Sequence, residues 1–116
     1  MNSGTRACIA YVAGCVVSGS DAPLMFDNDQ STRVRVRGVI KGNAVELYDY
    51  ERNCRFFGIL PMLIDKGTNS HVSLDVRGKR FSGYDQGSSH YFAGCVSGRS
   101  VILHDYGESR HFSYCL

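Results

Sequence analysis

The stretch VELYDYERNCRFF at residues 45–57 returns in altered form three more times along the chain. The related stretches are VILHDYGESRHF at 101–112, RFSGYDQGSSHYF at 80–92 and PLMFDNDQSTRVRV at 23–36. Each begins with alternating apolar residues, reaches an aromatic residue followed by Asp, passes through a short polar turn and returns as a second alternating segment. This pattern is typical of β-hairpins. The sequence therefore predicts an all-β protein.

The repeats group into two longer halves. Residues 45–56 correspond to residues 101–112 at a constant offset of 56 positions. Such an offset indicates an internal duplication, with halves at about residues 7–60 and 70–116 joined by GILPMLIDKGTN at 58–69. The 116 residues, of which 43% are hydrophobic, suffice for one domain with a single core. We therefore expect residues 1–116 to form one domain made of two tandem halves.

About ten short strands are predicted, and no helical periodicity is found. Their expected ranges are 8–18, 22–27, 32–41, 44–50, 54–60, 70–77, 80–85, 89–97, 100–106 and 110–115. Two-residue turns at 42–43, 78–79 and 98–99 fix three hairpin registers. In these registers apolar residues face each other: Ile40 and Val45, Val76 and Phe81, Val96 and Val101. The prediction is an antiparallel meander that forms either two packed five-stranded sheets (a β-sandwich), which the duplication favours, or a β-barrel.

The segment that follows Arg6, ACIAYVAGC, resembles the lipobox of bacterial lipoproteins, in which Cys15 would be acylated. However, the apolar run is short for an export signal, and AGCV recurs at 93–96 inside the chain, so a strand is favoured. The five cysteines are odd in number and form no CxxC pair, which favours free thiols in the cytoplasm. No segment approaches the about 18 apolar residues of a membrane-spanning helix, so no membrane association is expected.

An Asp residue closes the first strand of four predicted hairpins. At that position its side chain can accept a hydrogen bond from the backbone N–H two residues further on. A residue required once for catalysis is not required four times, so the recurrence favours a turn role. The four residues are Asp27, Asp49, Asp85 and Asp105.

The segment STRVRVRG at 31–38 is the most strongly charged surface feature, although the net charge of the chain is only +2. Strand alternation places its three arginines on one face, about 7 Å apart. The hairpin register adds two tyrosines of the next strand, and a lysine continues the row. Arginines beside tyrosines can follow a phosphate backbone and stack on bases, whereas the alternative is a solvated or protein-binding face. The candidate polyanion-binding residues are Arg33, Arg35, Arg37, Lys41, Tyr48 and Tyr50.

His104 and His111 lie on strands joined by one turn and are expected to face each other. Two imidazoles together with the thiolate of Cys95 or Cys115 would suit Zn²⁺. No motif with fixed ligand spacing is present, so metal or small-ligand binding is an alternative and no cofactor is predicted. Signatures of nucleophilic, metalloprotease and phosphate-loop sites are also missing from the sequence, which favours a protein without enzymatic activity.

The segment CRFFGILPMLI at 54–64 is apolar on both faces if it continues as one strand. Phe57, Ile59 and Leu63 then share one face, and a strand covered on one side only would carry polar residues there. Such a short chain has little material with which to cover a second face. We therefore expect a homo-oligomer, most simply a twofold dimer, with these three residues at its interface. The alternative is that residues 58–69 fold back over their own sheet.

The pattern [YH]-D-Y-x-x-x-x-[RH]-F at 48–56 and 104–112 resembles small all-β bacterial proteins carried on mobile integron gene cassettes. The resemblance implies a bacterial, soluble protein and assigns no catalytic or binding residue. The leading prediction is a non-enzymatic β-module that binds an unknown protein partner or assembles with itself. Binding of nucleic acid or another polyanion by the arginine segment, and binding of a metal or small ligand near His104 and His111, are the alternatives.

Overall fold

The computed structural model describes residues 1–19 and 24–116, which contain one helix and eleven strands. Helix α1 spans Ser3–Ser18. The strands are β1 Phe26–Asp27, β2 Thr32–Arg33, β3 Val36–Lys41, β4 Ala44–Asp49, β5 Cys54–Ile59, β6 Met62–Asp65, β7 Ser70–Arg77, β8 Arg80–Asp85, β9 His90–Ser97, β10 Ser100–Asp105 and β11 Arg110–Cys115. The protein is therefore mostly β, as predicted. Part of the strand predicted at 22–27 lies outside the described residues.

Helix α1 occupies the segment for which a strand was predicted at 8–18, so that prediction is wrong. The Asn2 side chain caps the helix by accepting a hydrogen bond from the Thr5 N–H at 2.8 Å, and Gly19 ends it with a left-handed φ of 68°. Every residue from 8 to 13 is at most 2% exposed. A helix that is buried on all sides has no polar face, so its sequence shows no helical periodicity. At 16 residues, this described helix lacks the length needed to cross a membrane.

The eleven strands form one antiparallel sheet in the order β2-β1-β11-β10-β9-β8-β7-β6-β5-β4-β3. The run from β11 back to β3 is an uninterrupted meander, which confirms the predicted topology. Among the described residues the strands belong to one sheet, so the expected division into two five-stranded sheets is not observed. The sheet is not closed, because its end strands β2 and β3 do not pair. These two strands are nevertheless separated in sequence only by Val34 and Arg35.

The sheet curls around α1, because the helix contacts strands as distant in the sheet as β3 and β10. One face of the sheet, the inner face, packs against the helix, and the other is the outer face. Glycine on the inner face permits this curvature where strands approach closely. At Gly94 a β-carbon would lie 2.1 Å from the Ile102 carbonyl oxygen and 2.4 Å from Cζ of Phe81. Fully buried leucines of the inner face complete the core: Leu47, Leu63, Leu74 and Leu103.

All three predicted hairpin registers are confirmed, since the strand pairings include Ile40 with Val45, Val76 with Phe81 and Val96 with Val101. Several strands end within one residue of the predicted boundary, and two larger differences are found. The strand predicted at 32–41 is divided into β2 and β3. The predicted linker at 58–69 contains β6, which follows a turn at Leu60 and Pro61. Proline at this turn concealed the strand, because it interrupts the alternating pattern on which the prediction relied.

Candidate functional site

Buried aspartates form the hairpin turns at one end of the curled sheet. In each turn the aspartate Oδ1 accepts a hydrogen bond from the backbone N–H two residues later, at 2.8 to 3.0 Å, which confirms the turn role predicted for four of them. A fifth turn of the same kind, at Asp65, was missed because it lies in the predicted linker. The residue four positions after each aspartate has a positive φ: Ser31, Asn53, Asn69, Ser89 and Ser109.

The second carboxylate oxygen of three of these aspartates faces the first turns of α1. Asp65 accepts hydrogen bonds from the Thr5 hydroxyl and from Arg52 Nη1, the latter at 3.1 Å. Arg52 Nε also donates to Asp49 at 2.6 Å. On the other side of the helix, Arg6 Nη1 donates to Asp105 at 3.2 Å. Cys8 Sγ of α1 also lies 3.9 Å from Asp49 Oδ2, so Thr5, Arg6 and Cys8 attach α1 to three separate strands of the sheet.

The carboxylates of this polar network are buried, whereas the Arg52 side chain is 19% exposed. Burial lowers the pKa of Arg52, but its hydrogen bonds to Asp49 and Asp65 outweigh that effect and leave the pKa raised, so the guanidinium stays charged. Burial and the nearby Asp49 carboxylate raise the pKa of the Cys8 thiol well above its usual value. A protonated, inaccessible thiol is a poor nucleophile. The network therefore has a structural role, which is to hold α1 against the sheet.

The arginine cleft lies where the sheet is open, between β2 and β3. It has a volume of about 630 Å³ and is lined by Arg33, Arg35, Arg37 and Tyr50, with Tyr11 of α1 as its inner wall. The predicted strand is interrupted here, yet all three arginines line the same cleft. Open sheet geometry thus gives the arginine segment a concave shape that strand alternation alone did not predict.

Charges in the arginine cleft are only partly neutralised. Arg35 lies 3.7 Å from Glu51, and both side chains are more than half exposed, so the pair is weak. In the described part of the chain, neither Arg33 nor Arg37 takes part in an ion pair. Burial, assisted by Cys15, raises the pKa of Tyr11 to about 12, although Arg37 acts in the opposite direction. Tyr11 is therefore neutral at physiological pH.

Of the other residues predicted for the polyanion site, Tyr48 lies beside the cleft and Lys41 does not. Tyr48 contacts Tyr50 edge to face with ring centroids 4.8 Å apart, and it pairs with Arg37 across strands β3 and β4. Lys41 lies at the far end of β3, where it lines a different groove. Glu46, on β4, accepts two 2.9 Å hydrogen bonds from Arg55 and does not pair with the arginines of the cleft.

His104 and His111 face each other across β10 and β11, as the sequence suggested. Their Nδ1 atoms are 3.4 Å apart. Cys95 pairs with Ile102 and Cys115 with Ser100, so neither thiol belongs to this cross-strand pair. Within residues 1–19 and 24–116, His, Cys, Asp and Glu form no group of three or more that could hold a metal ion. A metal at the two histidines stays a prediction.

The predicted interface residues occupy two different faces. Phe57 and Ile59 lie on the outer face, where Ile59 is 63% exposed and the Arg55 guanidinium covers the Phe57 ring at 3.9 Å. Leu63 lies on the inner face and is fully buried. The expectation that the three share a face is wrong, because β5 ends at Ile59 and the chain reverses into β6.

The actual outer apolar patch combines β3, β5 and β6. Val39 is 58% exposed and Met62 is 47% exposed, and Ile59 lies opposite Met62 in neighbouring strands. Phe57 similarly pairs with Ile64. We define the outer apolar patch as Val39, Phe57, Ile59, Met62 and Ile64.

Sequence reasoning missed a second surface, the tyrosine groove, on the outer face of β7, β8 and β9. It has a volume of about 670 Å³. Its walls are Tyr84, Tyr91 and Tyr106, and its floor consists of the cross-strand neighbours Ser82 and Ala93. The alternating pattern showed these residues to be outward-facing. Their convergence from three strands depends on the full order of the sheet.

Comparison with known proteins adds no relative: the chain matches no family model, no curated protein and no solved structure. The resemblance to integron cassette proteins therefore stays a prediction.

Proposed function

We propose that the protein is a non-enzymatic binding module whose arginine cleft holds a phosphate-bearing polyanion. Single-stranded nucleic acid is the first class of polyanion to test. The observation that carries this proposal is the convergence of Arg33, Arg35 and Arg37 on one cleft beside Tyr50. Guanidinium groups suit phosphate oxygens, and an exposed aromatic ring can stack on a base.

The charges of the cleft support an anionic ligand over a neutral one. Arg33 and Arg37 carry no counter-charge among the described residues, and the exposed Glu51 offsets Arg35 only weakly. Three cations held close together repel one another, and a bound anion relieves that repulsion. Tyr50 is 50% exposed at the same cleft and supplies an aromatic surface.

The experiment is a fluorescence anisotropy titration with a labelled, mixed-sequence single-stranded DNA of about 20 nucleotides. We expect affinity to fall as salt rises, with a slope of log K against log salt near −2 if three phosphates are contacted, at about −0.7 for each. The Arg35→Ala/Arg37→Ala variant should bind at least about tenfold more weakly at low salt and show a shallower slope.

A matched control variant removes two arginines that lie outside the cleft. Arg77 and Arg80 are exposed cross-strand neighbours on β7 and β8, away from the cleft. The Arg77→Ala/Arg80→Ala variant should retain wild-type affinity. An equal loss in both double variants, or no binding by the wild type at low salt, would contradict the proposal.

Self-association is a second candidate function, favoured by the outer apolar patch. Contiguous, exposed apolar side chains on a soluble protein commonly mark an interface. A second copy of this chain is the partner that we propose, since the patch is bordered by Lys41, Glu46 and Arg55 and therefore by both signs of charge. A twofold dimer can bring such a surface against its equal without placing like charges together.

We infer three further points about the origin and location of the chain. The offset between residues 45–56 and 101–112 supports an internal duplication, and the recurrent aspartate turns agree with it. The resemblance described above supports a bacterial source. Cys8, Cys54, Cys95 and Cys115 are free thiols, which supports a location in the reducing cytoplasm.

A further inference from the structure

The tyrosine groove presents aromatic surface that the described residues leave exposed. Tyr91 is 66% exposed and Tyr106 is 55% exposed, although tyrosine side chains gain free energy when their rings are buried. The two residues are adjacent, because the Tyr106 N–H donates to the Tyr91 carbonyl at 3.2 Å. Tyr84 contacts Tyr91 edge to face with ring centroids 4.7 Å apart. Tyr84 and Tyr91 thus form an aromatic pair, and Tyr106, whose ring contacts the His104 ring with centroids 4.5 Å apart, lines the same groove.

Small residues make the depression beneath these rings. Ser82 pairs with Ala93 across β8 and β9, and Asp75 lies opposite Ser82 on β7. On the neighbouring row the tyrosines Tyr84 and Tyr91 pair with each other. A row of short side chains beside a row of large ones produces a groove that runs across the strands, with polar groups along its floor.

The charge of the groove distinguishes it from the arginine cleft. No Lys or Arg is found among the described residues that line it. Its carboxylate, on Asp75, accepts a 2.9 Å hydrogen bond from Arg77 Nε and is therefore compensated. An anionic ligand would find no free cation here, so the lining favours a neutral ligand.

The backbone in this region is already fully engaged in the sheet. Strands β8 and β9 lie in the interior of the strand order and pair with neighbours on both sides. An extended peptide binds a sheet by adding to a free edge, and no free edge exists at the groove. Recognition must therefore use side chains: aromatic faces, hydroxyl groups and the Asp75 carboxylate.

From these features we propose that the tyrosine groove binds a neutral oligosaccharide. Pyranose rings present flat C–H faces that pack on aromatic rings, and their hydroxyl groups exchange hydrogen bonds with serine hydroxyls and carboxylates. A mostly apolar groove with a few convergent polar groups is typical of small-ligand sites. This site is separate from the arginine cleft and does not depend on polyanion binding there.

The test is a titration of the full chain, followed by ¹H–¹⁵N spectra, with the neutral probes cellohexaose, chitohexaose and maltohexaose. We expect at least one probe to cause saturable shifts at backbone amides of β8 and β9. Tyr91→Ala should weaken the affinity by about tenfold. Ala93→Phe, which fills the floor and removes no tyrosine, should weaken it to a similar extent or more.

Tyr50→Ala is the matched control, because Tyr50 belongs to an equivalent edge-to-face tyrosine pair beside the arginines. That variant should bind the oligosaccharide as the wild type does, and the same spectra verify that each variant is folded. The proposal is overturned if no probe gives saturable shifts, if the shifts centre on the arginine cleft, or if folded Tyr91→Ala and Ala93→Phe both keep wild-type affinity.

Discussion

Arg52 holds two buried carboxylates in place, so its removal should strongly lower the free energy of unfolding. Asp49 and Asp65 are at most 2% exposed, and Arg52 donates a hydrogen bond to each. Arg52→Ala leaves both carboxylates without their cation, so we expect a loss of about 3 to 5 kcal/mol in the free energy of unfolding. Urea denaturation followed by circular dichroism measures this loss.

Arg55→Ala provides the comparison for that measurement. Arg55 forms an equally well-oriented pair with Glu46, but both side chains are about half exposed. Solvent screens such a pair, so its removal should change the free energy of unfolding by at most about 1 kcal/mol. Similar losses in the two variants would show that the buried network does not stabilise the fold in the way described.

At the scale of secondary-structure elements, inner-face glycines allow the strands to bend around α1. A Gly94→Ala substitution places a methyl group 2.1 Å from the Ile102 carbonyl oxygen. The added methyl group and the carbonyl oxygen are both attached directly to the backbone, so strands β9 and β10 must separate locally. We therefore expect the free energy of unfolding to fall by about 2 kcal/mol. Ala93→Ser, one position away on the outer face, should change the free energy of unfolding by at most about 0.5 kcal/mol. Thermal unfolding of the two variants tests this difference, and equal melting temperatures would refute it.

The same elements show how far the sequence could predict the fold. The hairpin registers were predictable because they are fixed locally by a two-residue turn and by the alternation of residues along each strand. Ile40 and Val96 are examples of residues whose partners follow from these two features. Helix α1 was not, because the signal for a helix is one apolar face, and residues such as Ile9 and Val12 are buried on every side by the sheet. The arginine segment was recognised, but its cleft depends on where the sheet remains open. The tyrosine groove depends on contacts between three strands.

At the scale of the whole molecule, the outer apolar patch predicts a dimer. Light scattering at micromolar concentration should give twice the monomer mass. Ile59→Lys places a charge at the centre of the patch on a side chain that is already 63% exposed, so the variant should remain folded and become monomeric. Tyr106→Lys alters a comparably exposed residue, 55% exposed, outside the patch and should stay dimeric. A wild-type mass equal to that of the monomer at every concentration would exclude the dimer.

Helix α1 precedes in the chain the strands that bury it, and Arg6 contacts Asp105 across 99 positions. A ribosome therefore synthesises this apolar segment long before β10 exists to cover it. Contacts of such long sequence separation also slow folding. Until β10 has been synthesised, the nascent chain exposes an apolar helix to which other chains can bind. We therefore expect the yield of folded protein in a cell to depend on translation speed and on chaperones that shield this segment.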